Sequence, residues 1–221
     1  MSQNILIDAK AVKKSYGKTE ALRGVNLSIE SGEMVAIMGP SGSGKTTLLL
    51  CLAGIEQPDA GTIMYRGKNI PDLGDTERTI LRRTDFAFVF QFGQLVPELS
   101  AVDNVAIPLL LNGVAKRNAY AQAQAMLKEV GLQSKESNLP GELSGGQAQR
   151  VAVARAMVIE PEVLFADEPT GSLDSYNSEQ IMDLFVSIVK KHNTTIIIVT
   201  HEPYIAAYAD REVIVRDGLI K

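Results

Sequence analysis

Cysteine and long apolar runs are scarce in this chain of 221 residues. Its single cysteine, Cys51, excludes an intrachain disulfide and fits a reducing compartment. No apolar run approaches the roughly 20 residues that a membrane-spanning helix needs. The segment "TTIIIVT" is too short, and "VAIPLLL" is interrupted by Pro108. Work at a membrane would therefore require a second chain that supplies the span.

A strong excess of charge of one sign is also missing. The 22 Lys and Arg residues nearly balance the 26 Asp and Glu residues, for a net charge of −4. Binding to nucleic acid through bulk electrostatics is not indicated, so we expect no nucleic-acid partner. The hydrophobic content of 45% is ordinary for a globular protein, and the length suits one large domain or a domain with a subdomain.

A glycine-rich loop at residues 39–47, "GPSGSGKTT", carries the clearest chemistry. It matches the pattern G-x-x-x-x-G-K-[ST] with Gly39, Gly44, Lys45 and Thr46. The glycines let backbone N–H groups converge on phosphate, and the start of the following helix adds the positive end of its dipole. Lys45 can reach the outer phosphates, and the Thr46 hydroxyl can ligate Mg²⁺. A chance glycine turn is the weaker interpretation, because the motif lies between the apolar run "EMVAIMG", a predicted strand, and "GKTTLLLCLAG", a predicted helix.

Short apolar runs predict the sheet around this loop. Residues 86–90, 162–167 and 194–200 are continuous and β-rich, as parallel strands covered on both faces should be. Two alternating stretches, residues 5–16 and 24–31, predict antiparallel strands ahead of the loop.

Between residues 92 and 160 the chain becomes mostly helical. We therefore predict an α/β fold: a P-loop NTPase core with a parallel sheet, an N-terminal antiparallel β-subdomain and an inserted α-helical subdomain at about 92–160. We expect residues 1–221 to form one nucleotide-binding domain.

Carboxylates and a histidine follow two of these strands. The strand before Asp167 would bring that carboxylate to the edge of the sheet near Mg²⁺, and Glu168 is the candidate to polarise an attacking water. An Asp-Glu pair alone is more often a solvated loop, but a P-loop upstream favours the catalytic interpretation. His201 ends the strand at 194–200 and could contact a γ-phosphate, whereas His192 is expected at the surface.

The segment "LSGGQ", residues 143–147, resembles the signature motif of the ATP-binding subunits of ABC transporters. The resemblance covers nearly the full chain, because the other motifs of that family follow in order. Tyr16 is similar to the aromatic residue that stacks on adenine, and Gln91 is similar to the glutamine of the Q-loop. The "SLD" of residues 172–174 is similar to the D-loop, and His201 to the switch histidine.

The resemblance implies a homodimer whose two copies pair head to tail. Each active site would combine the P-loop of one copy with the signature loop of the other. Ser144, Gly145 and Gly146 lead into a predicted helix, whose first N–H groups can hold a γ-phosphate without a lysine. Two ATP molecules would join the dimer, and hydrolysis would release it.

ATP and Mg²⁺ are the ligands that the resemblance implies. The residues implied to contact the nucleotide are Tyr16, Gly39, Pro40, Ser41, Gly42, Ser43, Gly44, Lys45, Thr46, Thr47, Gln91, Ser144, Gly145, Gly146, Gln147 and Asp174. The implied Mg²⁺ ligands are Thr46, Gln91 and Asp167. The implied catalytic residues are Glu168, His201 and Lys45.

The segment "DEPTGSLD", residues 167–174, resembles one branch of the family. That branch contains lipoprotein-releasing, macrolide-export, cell-division and bacitracin-resistance ATPases. It implies an integral membrane permease of the FtsX-like type as partner and a position on the cytoplasmic face of the cell membrane. The chain departs from the branch at Ser172, where asparagine is frequent, and at Ala148, which interrupts a run of glutamines.

An apolar segment follows Gln91 around a break at Pro97. Its side chains could fill the core of the helical subdomain or form a docking surface. In the family the matching region receives a short cytoplasmic helix of the membrane subunit. The apolar residues concerned are Phe92, Leu95, Val96, Leu99 and Val102.

The sequence leaves two functions open. The chain could drive an export or mechanotransmission complex that handles lipoproteins, macrolides or peptides, or it could signal through a membrane partner in cell division or cell-wall remodelling. A third class, ABC proteins that act on DNA or ribosomes, usually carries a coiled-coil or zinc insertion or two nucleotide domains. None of these features is visible, and the transported substrate cannot be identified because the nucleotide domain does not meet it.

Overall fold

The computed structural model of the protein describes residues 4–91 and 93–221. The chain divides into two compact units. Unit 1 consists of Met1–Arg82 and Thr195–Lys221, and unit 2 of Arg83–Thr194.

Strands and helices are named here in chain order. The strands are β1 (Ile5–Tyr16), β2 (Thr19–Glu30), β3 (Met34–Met38), β4 (Ala60–Tyr65), β5 (Lys68–Asn69), β6 (Phe86–Phe90), β7 (Val163–Asp167), β8 (Thr195–Val199), β9 (Arg211–Arg216) and β10 (Leu219–Ile220). The helices are α1 (Lys45–Leu52), α2 (Asp75–Thr84), α3 (Ala101–Leu111), α4 (Lys116–Glu129), α5 (Gly145–Met157), α6 (Ser175–His192) and α7 (Pro203–Ala206). Short 3₁₀ turns lie at Ile70–Asp72 and Pro140–Glu142.

Unit 1 contains an antiparallel sheet in the order β2-β1-β4-β5. Burial alternates along the second half of β2, because apolar residues face the core and polar residues face solvent. The two predicted antiparallel strands are therefore confirmed, although β2 begins at Thr19, five residues before the predicted start.

Unit 1 also contains parallel strands, in which β3 lies between β9 and β8. Every residue of β8 is buried, as a continuous apolar run predicts for a strand covered on both faces. Helix α1 follows β3 and contacts β8, β1 and β2. It buries Leu48, Leu49 and Cys51, and this burial raises the pKa of the Cys51 thiol to about 12.

Unit 2 is built around helix α5 and a pair of parallel strands, β6 and β7. The rings of Phe86 and Phe165 meet edge to face at 5.1 Å between centroids, and Phe88 stacks on Phe165 at 5.4 Å. Helix α5 contacts α3, α4, α6 and β6, so it forms the centre of this unit.

Two helices of unit 2 go beyond the sequence prediction. Helix α3 continues through Pro108, although proline cannot donate a hydrogen bond to the carbonyl oxygen four residues earlier. Helix α6 runs for 18 residues in a segment for which no helix was predicted. Across residues 4–91 and 93–221, no helix combines the length and the apolar character needed to cross a membrane.

Candidate active site

The glycine loop of unit 1 connects the end of β3 to the start of α1. Its first and last glycines lie against backbone of neighbouring strands. At Gly39, with φ of 146°, an added Cβ would lie 2.0 Å from the Val215 carbonyl oxygen. At Gly44, with φ of 103°, it would lie 2.3 Å from the Ala21 carbonyl oxygen. Both positions therefore require glycine for space as well as for conformation.

The interior of this loop is arranged for an anion. The buried Lys45 Nζ donates to the Pro40 carbonyl oxygen at 2.9 Å, which holds the ammonium over the loop. The Ser43 hydroxyl oxygen is buried and has no hydrogen-bond partner among the described residues. Helix α1 has no side-chain N-cap and no acidic residue in its first turn. These features fit phosphate oxygens, which would accept from the hydroxyl and from the start of the helix.

His201 and Tyr16 also belong to unit 1. Ile37 of β3 pairs with Val199 of β8, and the Thr200 N–H donates to the Ile37 carbonyl oxygen at 3.2 Å, so His201 and Gly39 both follow the carboxyl ends of paired strands. The His201 side chain is exposed. Tyr16 ends β1 with 48% of its surface exposed, and the Lys14 Nζ lies 5.3 Å from its ring centroid. An exposed ring at a strand end is available to stack on a flat ligand.

Unit 2 brings together Gln91, Asp167 and Glu168. Phe90 at the end of β6 pairs with Asp167 at the end of β7, so Gln91 and Glu168 follow paired residues. The Ser172 hydroxyl donates to the Gln91 carbonyl oxygen at 2.9 Å. Unit 2 therefore places the residues predicted to bind metal or to polarise water at the carboxyl end of the β6–β7 pair.

Glu168 has a left-handed backbone, with φ of 47°. Such a conformation costs a residue other than glycine about 1–3 kcal/mol. The Gly171 N–H donates to the Glu168 carbonyl oxygen at 3.1 Å and helps to hold the turn. The strained residue is the one predicted to polarise water. This coincidence favours a functional reason for the strain.

The signature segment forms the N-terminus of α5. Ser144 is the N-cap, and its hydroxyl accepts from the Gln147 N–H at 3.3 Å. The Gln147 side chain accepts from the Ser144 N–H at 3.1 Å, which completes a capping box. Gln147 was predicted only as a nucleotide contact, so its capping role is an addition to the sequence analysis.

Asp174 is the N-cap of α6. Its carboxylate accepts from the Asn177 N–H at 2.9 Å and from the Asn177 side-chain amide at 2.6 Å. These hydrogen bonds lower the pKa of Asp174. The D-loop residue is thus fixed as an anion at the start of a helix.

The buried Gln149 and the partly buried Arg155 of α5 hold the backbone beside Gln91, and sequence reasoning missed both. The Gln149 side-chain amide donates to the carbonyl oxygens of Pro169 and Phe90, at 2.6 and 3.2 Å. The Arg155 guanidinium donates to the carbonyl oxygens of Gly93 and Gln94, at 2.7 and 2.9 Å. Burial lowers the pKa of Arg155. Their position on an otherwise apolar face of the helix was the signal that could have identified them.

The predicted docking residues differ in exposure. Val96 is 38% exposed, Leu95, Leu99 and Val102 are half-buried, and Phe92 lies outside the described residues. His192 was expected at the surface, and this was wrong: its side chain is only 16% exposed, because the last turn of α6 carries it towards Glu129 of α4, 3.9 Å away.

Comparisons with known proteins identify relatives of this chain over nearly its full length. The sequence profile of a family described as ABC transporter matches residues 22–171. The lipoprotein-releasing system ATP-binding protein LolD of Bacteroides thetaiotaomicron is 43% identical over 98% of this chain and 99% of its own length. The uncharacterized ABC transporter ATP-binding protein YknY of Bacillus subtilis is 44% identical over 97% of this chain and 95% of its own length. The dimeric structure of the ATP-binding cassette MJ0796 with ADP and Pi is similar with a TM-score of 0.89 and 37% identity, over 97% of this chain and 96% of that one.

The two loop glycines Gly42 and Gly44 should respond differently to alanine. An added Cβ meets nothing within 4 Å at Gly42, where φ is 75°, so Gly42→Ala should lower the free energy of unfolding by about 1–2 kcal/mol from the left-handed backbone alone. Gly44→Ala should cost roughly 3 kcal/mol or more, because the Cβ also displaces a strand carbonyl. Urea unfolding monitored by circular dichroism measures both changes. Equal losses in the two variants would contradict the contact described at Gly44.

Proposed function

This chain belongs to the ABC transporter family and is an ATP-hydrolysing subunit of it, and from that premise we propose that it drives a membrane permease of the export or mechanotransmission type. The observation that carries the proposal is the coexistence of a lysine-bearing phosphate loop and a lysine-free signature loop in one chain. The lipoprotein-releasing protein at 43% identity supports lipoproteins as the class of cargo.

Unit 1 is proposed to hold the nucleotide. Tyr16 stacks on the adenine ring, and the loop residues 39–47 surround the phosphates with backbone N–H groups. Lys45 neutralises the charge that develops on the transferred phosphoryl group. His201 contacts the γ-phosphate from the neighbouring strand end. The buried Ser43 hydroxyl without a partner and the uncapped start of α1 support this assignment.

Unit 2 is proposed to supply the hydrolytic groups. Glu168 accepts a proton from the attacking water, and its strained turn supports that role. The side chains of Thr46, Gln91 and Asp167 offer oxygen donors, the type that Mg²⁺ requires, so these three residues fit as its ligands. When bound, Mg²⁺ would neutralise phosphate charge.

A second copy of the chain is proposed to complete each site. The capping box at α5 uses the N–H groups of Ser144 and Gln147, so it does not take those of Gly145 and Gly146. These two N–H groups, with the Ser144 hydroxyl and the Gln147 side chain, would face the γ-phosphate bound by the other copy. Asp174 would lie at the same interface. The likeness to the dimeric MJ0796 cassette supports this arrangement.

The permease is proposed to be of the FtsX-like type, with the ATPase on the cytoplasmic face of the membrane and residues 1–221 acting as one nucleotide-binding domain. Val96 is the best candidate for the contact. Its backbone is held by Asn104, which accepts from the Val96 N–H at 2.8 Å and donates to the Val96 carbonyl oxygen at 3.1 Å. An exposed apolar side chain on a fixed backbone is suited to docking.

Lys45→Ala should reduce ATP turnover by about 10²–10³-fold, because a preorganised charge at the transferred phosphoryl group is lost. Phosphate release by the purified variant and the wild type, with circular dichroism to confirm folding, measures the effect. Turnover within threefold of wild type would refute the role of this lysine.

Glu168→Gln should bind ATP but hydrolyse it slowly, because the amide keeps the size of the side chain and cannot accept the proton of water. Since the step that separates the copies is blocked, the variant should form a stable dimer with Mg-ATP in size-exclusion chromatography. Wild type with ADP is the monomeric control. A variant that stays monomeric at saturating Mg-ATP would contradict the proposed dimer.

Val96→Glu should abolish co-purification with the proposed membrane permease, because a charge would enter an apolar contact. ATP hydrolysis by the isolated variant should remain within about twofold of wild type, since Val96 is not among the residues assigned to the nucleotide, to Mg²⁺ or to the attacking water. Ile5→Glu, at a similarly exposed apolar residue of β1 (42%), is the control that should retain the partner. Retention by both variants would remove Val96 from the docking surface.

A further inference from the structure

Gln149 is a buried polar residue that takes part in no proposed chemical step. It is 2% exposed and lies one turn into α5. An uncharged amide in the core is tolerated only when its polar atoms are paired. Both hydrogens of its nitrogen are used, one on the Pro169 carbonyl oxygen at 2.6 Å and one on that of Phe90 at 3.2 Å.

The two accepting carbonyl groups are adjacent in sequence to the two proposed reactive positions. Phe90 immediately precedes Gln91, and Pro169 immediately follows Glu168. Phe90 is the last residue of β6, and Pro169 lies two residues beyond the end of its partner strand β7. The Gln149 amide therefore bridges the two chain segments that follow β6 and β7.

We propose that Gln149 is a positioning residue for ATP hydrolysis, whose amide sets the distance between the backbones of Gln91 and Glu168. This inference rests on the proposed function of those two residues. The strained φ of 47° at Glu168 needs surrounding contacts that hold it, and the hydrogen bond to Pro169 is one of them. Without the amide, the turn relaxes and the water-polarising carboxylate moves from its place.

The position of a reacting group matters steeply for rate. A misplacement of about 1 Å can cost about 10²-fold in catalysis, whereas binding of the nucleotide depends mainly on contacts elsewhere. In this chain most of those contacts within one copy are assigned to Tyr16 and the loop residues 39–47 of unit 1, with Gln91 as the exception. Loss of the Gln149 amide should therefore lower kcat and leave KM for ATP nearly unchanged.

Arg150, the next residue of α5, offers a matched control. Its guanidinium donates to the Val130 carbonyl oxygen at 3.3 Å and to the Gln180 side chain at 3.1 Å. Like Gln149, it joins α5 to other parts of unit 2 by two hydrogen bonds. Unlike Gln149, it does not contact the backbone beside Gln91 or Glu168. Arg150→Leu therefore shows what happens when α5 loses two hydrogen bonds that do not involve the backbone beside Gln91 or Glu168.

The first test compares Gln149→Met with Arg150→Leu and the wild type in a steady-state ATPase assay, with thermal unfolding of each. Methionine nearly preserves the volume and removes both donors. We expect kcat of Gln149→Met to fall about 10- to 100-fold with KM for ATP within about twofold of wild type. Arg150→Leu should unfold at a lower temperature and keep kcat within about twofold.

The second test uses pH. In Gln149→Glu the buried carboxyl can donate one hydrogen bond only when it is protonated. Desolvation favours that neutral form, so protonation should increase as pH falls from 8 to 6. The ratio of its kcat to that of wild type should rise over this range, whereas the ratio for Gln149→Met should stay flat. A residue with a purely structural role would not produce this rescue.

The outcomes separate this inference from the proposed function. Gln149→Met with kcat within twofold of wild type, or an equal loss of kcat in Arg150→Leu, overturns the positioning role and leaves the ATPase assignment intact. Failure of both Gln149 variants to fold, while Arg150→Leu folds, also overturns it, because Gln149 would then be required by the fold. Absence of turnover in the wild type would instead refute the assignment on which the inference rests.

Discussion

The rest of the structure depends on one constraint, which is that polar groups can be placed only at the ends of the buried parallel strands. A strand covered on both faces has no room for polar groups along its length, so they gather where it stops. The chain must then turn sharply, and it does so in left-handed conformations. Gly39 follows β3 with φ of 146°, Glu168 follows β7 with φ of 47°, and Gly93 lies just beyond β6 with φ of 65°. Sharp turns of this kind direct backbone N–H groups and short side chains towards a ligand.

The N–H groups at the starts of helices α1 and α5 are treated differently. Helix α1 has Gly44 at its N-cap position, which offers no side-chain cap, and Lys45 as its first residue. Helix α5 has Ser144 at its N-cap position, a complete capping box and no lysine. The first arrangement is open to several phosphate oxygens, and the second leaves room for a single anionic group at its glycine pair. Under the proposed function, this difference accounts for a chain with one lysine-bearing phosphate loop and one lysine-free signature loop.

Much of the fold follows from local sequence patterns. The apolar runs located β6, β7 and β8 to within one residue, because a buried parallel strand leaves a continuous signal. The glycine pattern of the loop at residues 39–47 was equally clear, and two of its glycines, Gly39 and Gly44, leave no space for a side chain. Gln149 and Arg155 could have been noticed as polar residues among apolar neighbours, but the carbonyl groups that they hold could not be predicted, because these lie about 60 residues away in sequence. The exposure of Val96 beside the half-buried Leu95 also depended on packing, since apolar character alone does not tell a core residue from a docking residue.

Helix α5 connects these features mechanically. Its 13 residues extend about 20 Å, from the signature segment at the N-terminus to Arg155 near the other end. Along its side, Gln149 and Arg155 donate hydrogen bonds to four carbonyl oxygens that flank Gln91 and Glu168. Each such bond contributes about 0.5–1.5 kcal/mol when neutral and about 1.5–3 kcal/mol from a charged donor. These four hydrogen bonds therefore couple the position of α5 to the backbone beside Gln91 and Glu168.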